Sequence, residues 1–471
     1  PFLPGGMDAN VPLIWRTTDG GNTWTKITNG LPNDQRTGSY VNVVREDPKQ
    51  PGLLFCGTES AVYVSFHDGN QWQPLQLNMP TTSVRDLRIH TFDHENDLVA
   101  GTFGRGFWVL DDITPLQQIT TSSAQIAAAP AYLFTPGDAI RSRVSTSWDQ
   151  PVEPWEHHSL NPPYGAYIYY YLGQAPSGPI SLRIYASDGR LVDTITSTLP
   201  SPITGNAYPR YWLASPQSRA LTTHLGTNRF VWNLHFAPPL AFRHDLENQM
   251  DSVEHATTPG PKGPQVIPGV YTVKLTVSGQ TYTRKLTVIN DPRIGQGPDV
   301  MAALEAQNSL NLRAYDAMNA SYQANQQVAA ASRQVAAILH GGSAPADVTK
   351  QAEAIEAKLK TFGGKPPSGG FAFFRRRRPK PGAMQSFIDS NNNFSSLVSM
   401  VQVGLDMAPT PAEVGTWEGY CKNYNRTVEA WNHMQSRTLV AFNNLLNQNH
   451  LQPITVSNGK LADPSCSFHA K

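Results

Sequence analysis

TTDGGNTW, residues 17–24, brings a hydroxyl, a carboxylate, two glycines and a tryptophan together in one short stretch. The runs LIWR before it and TKIT after it are typical of short β-strands, so the stretch predicts a hairpin with a tight turn. In such a turn the Asp19 carboxylate can accept backbone N–H groups, Gly21 can adopt a positive φ, and Trp24 can fold back over the loop. The pattern favours a structural role for Asp19 over a catalytic one.

A second, less regular copy of this turn is SFHDGNQW, residues 65–72. A hydroxyl, a glycine and a tryptophan recur at the same relative positions, namely Ser65, Gly69 and Trp72. His67 stands where the first copy has its aspartate, and Asp68 follows one position later. The two stretches therefore predict an internal repeat.

A further pair of similar segments accompanies the two turns. LLFCGTESAVYVS at 53–65 and DLVAGTFGRGFWVL at 97–110 each contain a strand-like run, a Gly-Thr turn and a second strand-like run. Repeats of roughly 40 to 50 residues built from short strands are typical of β-propeller blades. Residues 1–118 are therefore predicted to form the final blades of a propeller.

The first turn resembles the Asp-box of BNR-repeat propellers, the sialidase and sortilin superfamily, through Thr17, Asp19, Gly21 and Trp24. The runs GTESAVYVSFHDGNQW, SVRDLRIH and DLVAGTFGRGFWVLDDITPL are similar to the closing blades of large secreted bacterial proteins described as sortilin-like or BNR-repeat glycosyl hydrolases. The similarity covers about residues 10–118. In that family an Ig-like β domain and a helical tail follow the propeller. The resemblance implies a multidomain β plus α fold with partial β-propeller blades, an Ig-like β-sandwich and a C-terminal antiparallel helical bundle.

The propeller region is short for a closed ring. Residues 1–118 suffice for roughly two blades, whereas a closed propeller has about four to eight, and two blades alone leave sheet edges exposed. The chain also opens on PFLPGGMDAN, with neither an initiator Met nor a hydrophobic signal segment. We therefore expect the C-terminal portion of a larger protein, with the N-terminal propeller portion missing from this chain or carried by a companion chain.

Composition narrows the function classes. The chain has 37 basic and 36 acidic residues, a net charge of +1, so its overall charge does not favour a nucleic-acid partner. It has no apolar run long enough to cross a bilayer, which predicts no transmembrane segment. Low charge with abundant Pro, Gly and aromatic residues is typical of a secreted or periplasmic β-rich protein.

The chain has three cysteines, too few for a disulfide framework. Cys56 lies in an apolar strand-like run and is predicted to be a core residue. Cys421 and Cys466 can pair in an oxidising compartment, but Cys421 also lies on the apolar seam of a predicted helix. The pattern favours a packed thiol at Cys421 over the bridge.

After the propeller region the chain changes character. Residues 119–163 are Pro-rich without a clear period, which predicts an irregular connecting strap. In this strap His157 and His158 lie near Glu153 and Glu156, but adjacent histidines rarely converge on one ion, so we predict a loop and no metal site.

Strand signals return over residues 164–293. Alternation in AYIYYYL, SLRIYA, YTVKLTV and QTYTRKLTVI, with hairpin turns SDGR at 187–190 and VSGQ at 277–280, predicts an antiparallel β-sandwich. This region resembles the Ig-like domain of flagellar hook-capping proteins and of many secreted bacterial enzymes. The resemblance implies a domain that holds its neighbours together.

Residues 297–450 have a helical period, and 451–471 form a C-terminal tail. Helices are predicted at 298–340 and about 345–361, and two heptad seams follow: Met384, Phe387, Asn391, Phe394, Val398, Val401 and Leu405, then Val414, Trp417, Cys421, Tyr424, Val428 and Trp431. Thr410 and Glu413 predict a capping box before the second seam. The aromatic stripes are expected in the core of a bundle, not around a cofactor.

A basic segment interrupts the helices at residues 363–382. It carries Phe373, Phe374, Arg375, Arg376, Arg377 and Arg378. A solvated linker is the favoured interpretation. The alternative is a docking arm whose aromatic residues anchor it while the arginines contact an acidic partner, lipid headgroups or an anionic polysaccharide.

No catalytic set can be assembled from the sequence. Sialidase-type chemistry needs converging arginines with a tyrosine, a glutamate and an aspartic acid, whereas Arg85, Arg88 and Arg105 cannot be matched to such a set. We therefore favour a non-catalytic, extracytoplasmic structural or protein- or glycan-binding component that can take part in an assembly. The alternatives are a polysaccharide-acting hydrolase with its site in absent blades, and a sortilin-like peptide receptor.

Overall fold

A computed structural model of the chain combines β-sheets and helices, which agrees with the predicted mixed β plus α class. The structure describes residues 11–33, 40–91, 94–142, 155, 162–200, 215–244, 260–294, 297–342, 344–365, 384–403, 406–456, 461 and 464–468. Along this described chain, short-stranded sheets come first, longer strands follow, and helices come last. Among these residues no helix is both long and apolar enough to cross a bilayer.

The first part of the chain forms a hairpin and two antiparallel sheets. The hairpin pairs β1 with β2, the second sheet runs β3-β4-β5-β6 in chain order, and the third runs β7-β8-β9. The strands are β1 Trp15–Arg16, β2 Thr25–Lys26, β3 Val41–Glu46, β4 Leu54–Thr58, β5 Val62–Ser65, β6 Gln73–Pro74, β7 Val84–His90, β8 Asp97–Thr102 and β9 Phe107–Leu110. Each sheet is thus a meander of strands that are neighbours in sequence.

The β3–β6 sheet is buried on both faces, which explains the continuous apolar runs of β4 and β5. On one face Cys56 and Trp72 pack with Ile14 and Ile27 of the hairpin region. On the other face the sheet shares a core with β7 and β8, formed by residues such as Phe55, Val64, Val84, Leu87 and Leu98. The three sheets are therefore stacked in chain order.

Part of the segment predicted to be irregular, 119–163, has regular structure. Helix α1 spans Thr114–Ala128, and the short strands β10 Ala131–Leu133 and β11 Ala139–Arg141 follow. The helix buries only Pro115 and Ile126, so it has no apolar stripe that a sequence pattern could reveal. The two strands are too short to show alternation and exist because they pair with distant strands, Ala166–Leu172 and Gln280–Asn290.

Two sheets over residues 131–290 enclose one hydrophobic core. Their orders are β10-β12-β15 and β11-β17-β16-β13-β14. The remaining strands are β12 Ala166–Leu172, β13 Ser181–Tyr185, β14 Leu191–Thr196, β15 Gly226–Trp232, β16 Gly269–Val277 and β17 Gln280–Asn290. Four of them, β12, β13, β16 and β17, lie where the alternating runs predicted strands. The larger sheet is mixed, not purely antiparallel, because β11 pairs with β17 in parallel.

The helices share a second large core. They are α2 Pro298–His340, α3 Ala346–Gly363, α4 Phe387–Val403, α5 Pro411–His433 and α6 Val440–Gln448, with a π-helical turn, Met434–Leu439, between the last two. The predicted capping box at the start of α5 is confirmed, since Thr410 and Glu413 exchange hydrogen bonds. The seam residues Trp417, Tyr424 and Trp431 are fully buried.

A buried ion pair connects the sheets to the helices. Arg141 of β11 donates from both terminal nitrogens to the two carboxylate oxygens of Asp406, at 3.0 and 3.1 Å. The side chains are only 3% and 5% exposed, and Arg141 Nε also donates to the Val266 carbonyl at 2.8 Å. In addition, the Asn391 amide of α4 donates to the Leu240 carbonyl at 2.9 Å. These contacts join the two regions through polar groups withdrawn from water.

The favoured interpretation of Cys421 as a packed thiol is wrong, because Cys421 and Cys466 form a disulfide. Cys421 does lie on the buried seam of α5, but the C-terminal tail, including Leu461 and Phe468, packs against the same helical core. Cys56 is a free and fully buried thiol, as predicted. Burial raises its pKa to about 12, so it is unreactive in the folded protein.

Candidate functional site

The turn at residues 17–24 is closed by side-chain hydrogen bonds around Asp19. The carboxylate accepts the Thr23 N–H at 2.9 Å and the Thr23 hydroxyl at 2.7 Å. Thr17 Oγ1 donates to Asp19 and accepts the Gly21 N–H, both at 2.8 Å. Gly20 and Gly21 both have positive φ, and the Trp24 indole N–H donates to the Gly21 carbonyl at 3.0 Å. All four predicted residues therefore take part in one turn.

These hydrogen bonds also define the charge state of Asp19. Donation from the Thr23 backbone and hydroxyl, and then from Thr17, lowers the pKa of the Asp19 carboxyl to about 2. Asp19 is therefore an ionised acceptor at ordinary pH. It has no proton to donate, which does not fit the role of a general acid.

The second turn repeats part of this arrangement. Ser65 Oγ accepts the Gly69 N–H at 3.0 Å, as Thr17 does for Gly21, and Gly69 has a positive φ. The tryptophans differ, because the Trp72 indole donates across to the Ile27 carbonyl at 2.8 Å and not to its own turn. Trp72 is consequently 1% exposed.

Several contacts connect the second turn to the first turn and to the segment that follows it. Arg16, next to the first turn, forms an ion pair with Asp68 of the second turn at 2.5 Å. The backbone N–H of Trp72 donates to the Asn29 carbonyl at 2.8 Å. The aspartate displaced by one position in the second copy thus serves as the contact to the first copy. The sequence offered no signal for this pairing.

The outermost strand, β9, leaves apolar residues uncovered on the outer face of the third sheet, beside Asp86 and Arg88 of β7. Trp108 and Leu110 point to the buried core, while Phe107 and Val109 are 82% and 53% exposed. The register places Gly101 opposite Phe107 and Val99 opposite Val109. We call the surface formed by Val99, Gly101, Phe107 and Val109 the open face. Neighbouring exposed apolar side chains on one sheet face are a feature of interaction sites.

The other end of the stack is also apolar. Trp15 and Trp24 of the hairpin are 54% and 57% exposed. Ile14 and Ile27 of the hairpin cover one face of the β3–β6 sheet. The two tryptophans lie on the other side of the hairpin, which no sheet of the described chain covers. The stack of three sheets therefore has exposed aromatic residues at both ends.

A cluster of acidic groups and one histidine lies at the hairpin end of β7 and β8. His90 Nδ1 is 2.9 Å from a Glu95 oxygen, and His90 faces Asp97 across the strand pair. The ligand atoms of His90, Glu95 and Asp97 all lie within 4.8 Å of one another. A histidine nitrogen with two carboxylates is a donor set that divalent cations accept.

Two further carboxylates lie near this cluster. Burial, and then the charge of Asp97, raises the pKa of the Asp111 carboxyl. Burial also raises the pKa of Asp112, whose N–H donates to Asp97 at 2.9 Å. The sequence analysis missed the cluster because its members come from β7, β8 and the end of β9, and only strand pairing brings them together.

The arginines considered for substrate binding are engaged locally. Arg85 pairs with Glu59 at 3.2 Å, and its guanidinium lies 5.2 Å from the Phe103 ring centre. Arg88 lies 3.8 Å from Asp86. Arg105 lies in the turn between β8 and β9, flanked by Gly104 and Gly106, which both have positive φ. Arg85 and Arg88 thus pair with neighbouring acidic residues, and Arg105 belongs to a turn.

The predicted partner-binding segment cannot be placed. Phe373, Phe374 and Arg375–Arg378 lie outside the described residues, as do His157 and His158. The docking-arm hypothesis therefore stays a prediction.

Comparison of the sequence with protein-family models and with curated proteins finds no match in either.

Proposed function

We propose that the chain is part of a non-catalytic, extracytoplasmic β-propeller protein of the Asp-box type, similar to sortilin-like and BNR-repeat proteins. In both turns a glycine N–H donates a hydrogen bond to the hydroxyl oxygen of the residue four positions earlier, and this shared contact supports the proposal. So does the stacking of meander sheets in chain order, as expected for neighbouring blades. On this account residues 11–110 are blades that need further blades, on the same polypeptide or on a companion.

The single observation that carries the proposal is the open face. Phe107 and Val109 are exposed on the last sheet, whereas the equivalent apolar faces between the first, second and third sheets are buried. A partner that can cover the open face in the same way is another β-sheet with an apolar face. The function is therefore structural: the stack binds further sheets and presents the assembled propeller to a protein or glycan partner.

The remaining regions brace the stack. On this proposal the two sheets that share a core form an Ig-like sandwich, and the helices that share a core form a helical bundle. Tyr169 of the sandwich donates to the Asp111 carbonyl at 3.2 Å, and the Arg141–Asp406 pair joins the sandwich to the helices. The disulfide favours an oxidising, extracytoplasmic compartment.

Association of the purified chain tests the proposal. We expect the chain to self-associate with rising concentration, because burying Phe107 and Val109 removes apolar area from water. Phe107→Ser should weaken this association by about tenfold or more, measured by sedimentation velocity. Leu199→Ser removes an exposed leucine outside the stack and serves as the matched control, with association unchanged.

A wild-type chain that stays monomeric, or a Phe107→Ser variant that associates like the control, would contradict the proposed role of the open face. Turnover of glycan substrates by the chain would contradict its non-catalytic assignment, whereas turnover only by a protein that also carries the further blades would support the hydrolase alternative.

A further inference from the structure

In the described chain, the third sheet of the stack has one strand fewer than the second. The second sheet runs β3-β4-β5-β6, whereas the third runs β7-β8-β9 and ends there. The two sheets match strand by strand, because the second strand of each ends in Gly-Thr, at Gly57 and Thr58 in β4 and at Gly101 and Thr102 in β8. Strand β9 is therefore the counterpart of β5, and no described strand is the counterpart of β6.

The register identifies the matching residues of β5 and β9. Val62 of β5 and Phe107 of β9 each pair with the glycine of the Gly-Thr motif, and Val64 and Val109 lie two positions further along. In the second sheet β6 occupies the other side of β5, where the Leu75 N–H donates to the Val62 carbonyl at 2.8 Å. Because hydrogen-bonded pairs alternate along an antiparallel ladder, the backbone groups of Val64 also face β6.

The equivalent backbone groups of β9 have no partner strand. The Thr102 N–H donates to the Gly106 carbonyl at 3.1 Å, so these two residues form a hydrogen-bonded pair of the β8–β9 ladder. By the same alternation Phe107 and Val109 belong to non-hydrogen-bonded pairs, and their N–H and C=O groups point away from β8. No backbone group elsewhere in the described chain bonds to them.

The sequence of β9 leaves this edge open to another chain. After β5 the chain turns at residues 66–72 and returns as β6, but after β9 it enters α1 at Thr114. Strand β9 is Phe-Trp-Val-Leu, without a charged residue, a proline or a register shift against β8. Charges, prolines and bulges are the features that normally keep an exposed edge strand from pairing. The edge of β9 can therefore accept a strand from another molecule.

We propose that β9 binds an extended segment of a partner polypeptide as a fourth strand, antiparallel to β9. Strand β6 indicates the chemistry of this segment, because it occupies the equivalent place in the second sheet. Opposite Val62 the chain has Leu75, which packs against the core shared by the second and third sheets. The partner segment accordingly has an apolar residue opposite Phe107, and its backbone pairs with Phe107 and Val109. This pairing along a strand edge goes beyond the proposed covering of the open face.

Binding of a β6 peptide to the full chain tests the inference. The probe is acetyl-Gln-Trp-Gln-Pro-Leu-Gln-Leu-amide, which copies residues 71–77, added at protein concentrations where the chain is monomeric. We expect saturable binding. Hydrogen-exchange mass spectrometry with residue-level fragmentation should show exchange slowed by about tenfold at the Phe107 and Val109 amides, because both become hydrogen-bonded. The Val62 and Val64 amides, which already face β6, should not change.

Methylated peptides distinguish backbone pairing from contact by side chains alone. N-methylation of the leucine that copies Leu75 removes the N–H aimed at the Phe107 carbonyl and should weaken binding by about tenfold. N-methylation of the next residue, the copy of Gln76, alters an N–H that points away from β9 and should leave the affinity unchanged. Equal affinities of the two methylated peptides would overturn the inference.

A proline in β9 tests the same contact on the protein. Val109→Pro removes an N–H that points away from β8, a position where edge strands tolerate proline, and should weaken peptide binding by about tenfold. Val109→Ala is the matched control, because it shortens the side chain but keeps the N–H, and its affinity should stay within about twofold of the wild type. The methylated peptides test the same pairing without any change to the fold.

The inference is overturned if the peptide does not bind saturably, if the Phe107 and Val109 amides are not protected, or if Val109→Pro and Val109→Ala bind alike. Protection of these amides by self-association without peptide would assign the edge to a second copy of the chain and overturn the assignment to a partner polypeptide. A chain that self-associates through the open face but does not bind the peptide would overturn this inference alone. A chain that binds the peptide but stays monomeric at all concentrations would overturn only the proposed role of the open face.

Discussion

Large aromatic side chains are exposed at the ends of the stacked sheets but buried in the helical region. In the sheets, Trp15, Trp24 and Phe107 are exposed at the two ends of the stack. In the helices, Trp417 and Trp431 are fully buried within one core that the C-terminal tail helps to close. The helical region thus buries its core with its own residues, whereas in the stack only the middle sheet is covered on both faces. The exposed aromatic residues at both ends of the stack are the reason for our proposal that further sheets cover it.

The largest effect is expected from breaking the closed core. Trp417→Ala should lower the free energy of unfolding by about 4 to 5 kcal/mol, because it leaves a large cavity among Phe394 and its neighbours. Chemical denaturation followed by circular dichroism measures this loss. Trp417→Phe is the matched control, since it keeps most of the volume and removes an indole N–H that has no partner within the described residues. Equal losses for both variants would contradict the cavity explanation.

The next effect concerns the ion pair that links the two sheets over residues 131–290 to the helices. Arg141→Met should cost about 3 to 5 kcal/mol, because it leaves the buried Asp406 carboxylate without its guanidinium. The double variant Arg141→Met, Asp406→Leu should recover most of the loss, since neither charge remains. A double variant as unstable as the single one would show that the charges are not the cause.

Reduction of the disulfide should have a smaller effect on the same region. Replacing both Cys421 and Cys466 by serine is expected to cost about 2 to 4 kcal/mol, because the tail then gains freedom in the unfolded chain. No thiol of the native protein should react with maleimide, because Cys56 is buried and its thiol pKa is raised to about 12. One thiol should react after unfolding without reductant, and three with it. Labelling of the folded, unreduced chain would contradict the bridge or the burial of Cys56.

The smallest effect is expected at the exposed turn of the stack. The folded pKa of Asp19 is lowered to about 2 from 3.8, so its contribution to the turn is complete above pH 3.8 and is lost as pH falls through 2. The indole N–H resonance of Trp24, which donates to Gly21, should therefore shift with a midpoint near pH 2. Asp19→Asn should abolish this titration. A wild-type midpoint near pH 4 would show that the turn hydrogen bonds do not hold the carboxylate ionised.

The same comparison explains how far the sequence could predict the structure. The heptad seam ending at Trp431 and the Thr410 capping box are local patterns, so the helices could be placed from them. The long strands β16 and β17 alternate clearly and were placed as well. Helix α1 could not be found, because it buries too few residues to have an apolar period.

Side chains that strand pairing or packing brings together could also not be predicted from the sequence. The acidic cluster joins His90 to Asp97 and Asp111 through strand register. One groove is lined both by residues of α2 and by Arg190 of a distant hairpin. The Cys421–Cys466 bridge was disfavoured because an apolar seam position explains a cysteine equally well without a partner. Such features depend on contacts between distant segments, which residue spacing does not encode.

The most direct test of the central claim is hydroxyl-radical footprinting of the associated chain against the dilute monomer. If the open face binds another sheet, Phe107 should lose about tenfold or more of its reactivity on association, because it changes from exposed to buried. Leu199, exposed outside the stack, should react equally in both states. Equal reactivity of Phe107 in the monomer and the assembly would contradict the claim that the stack is completed by a sheet on its open face.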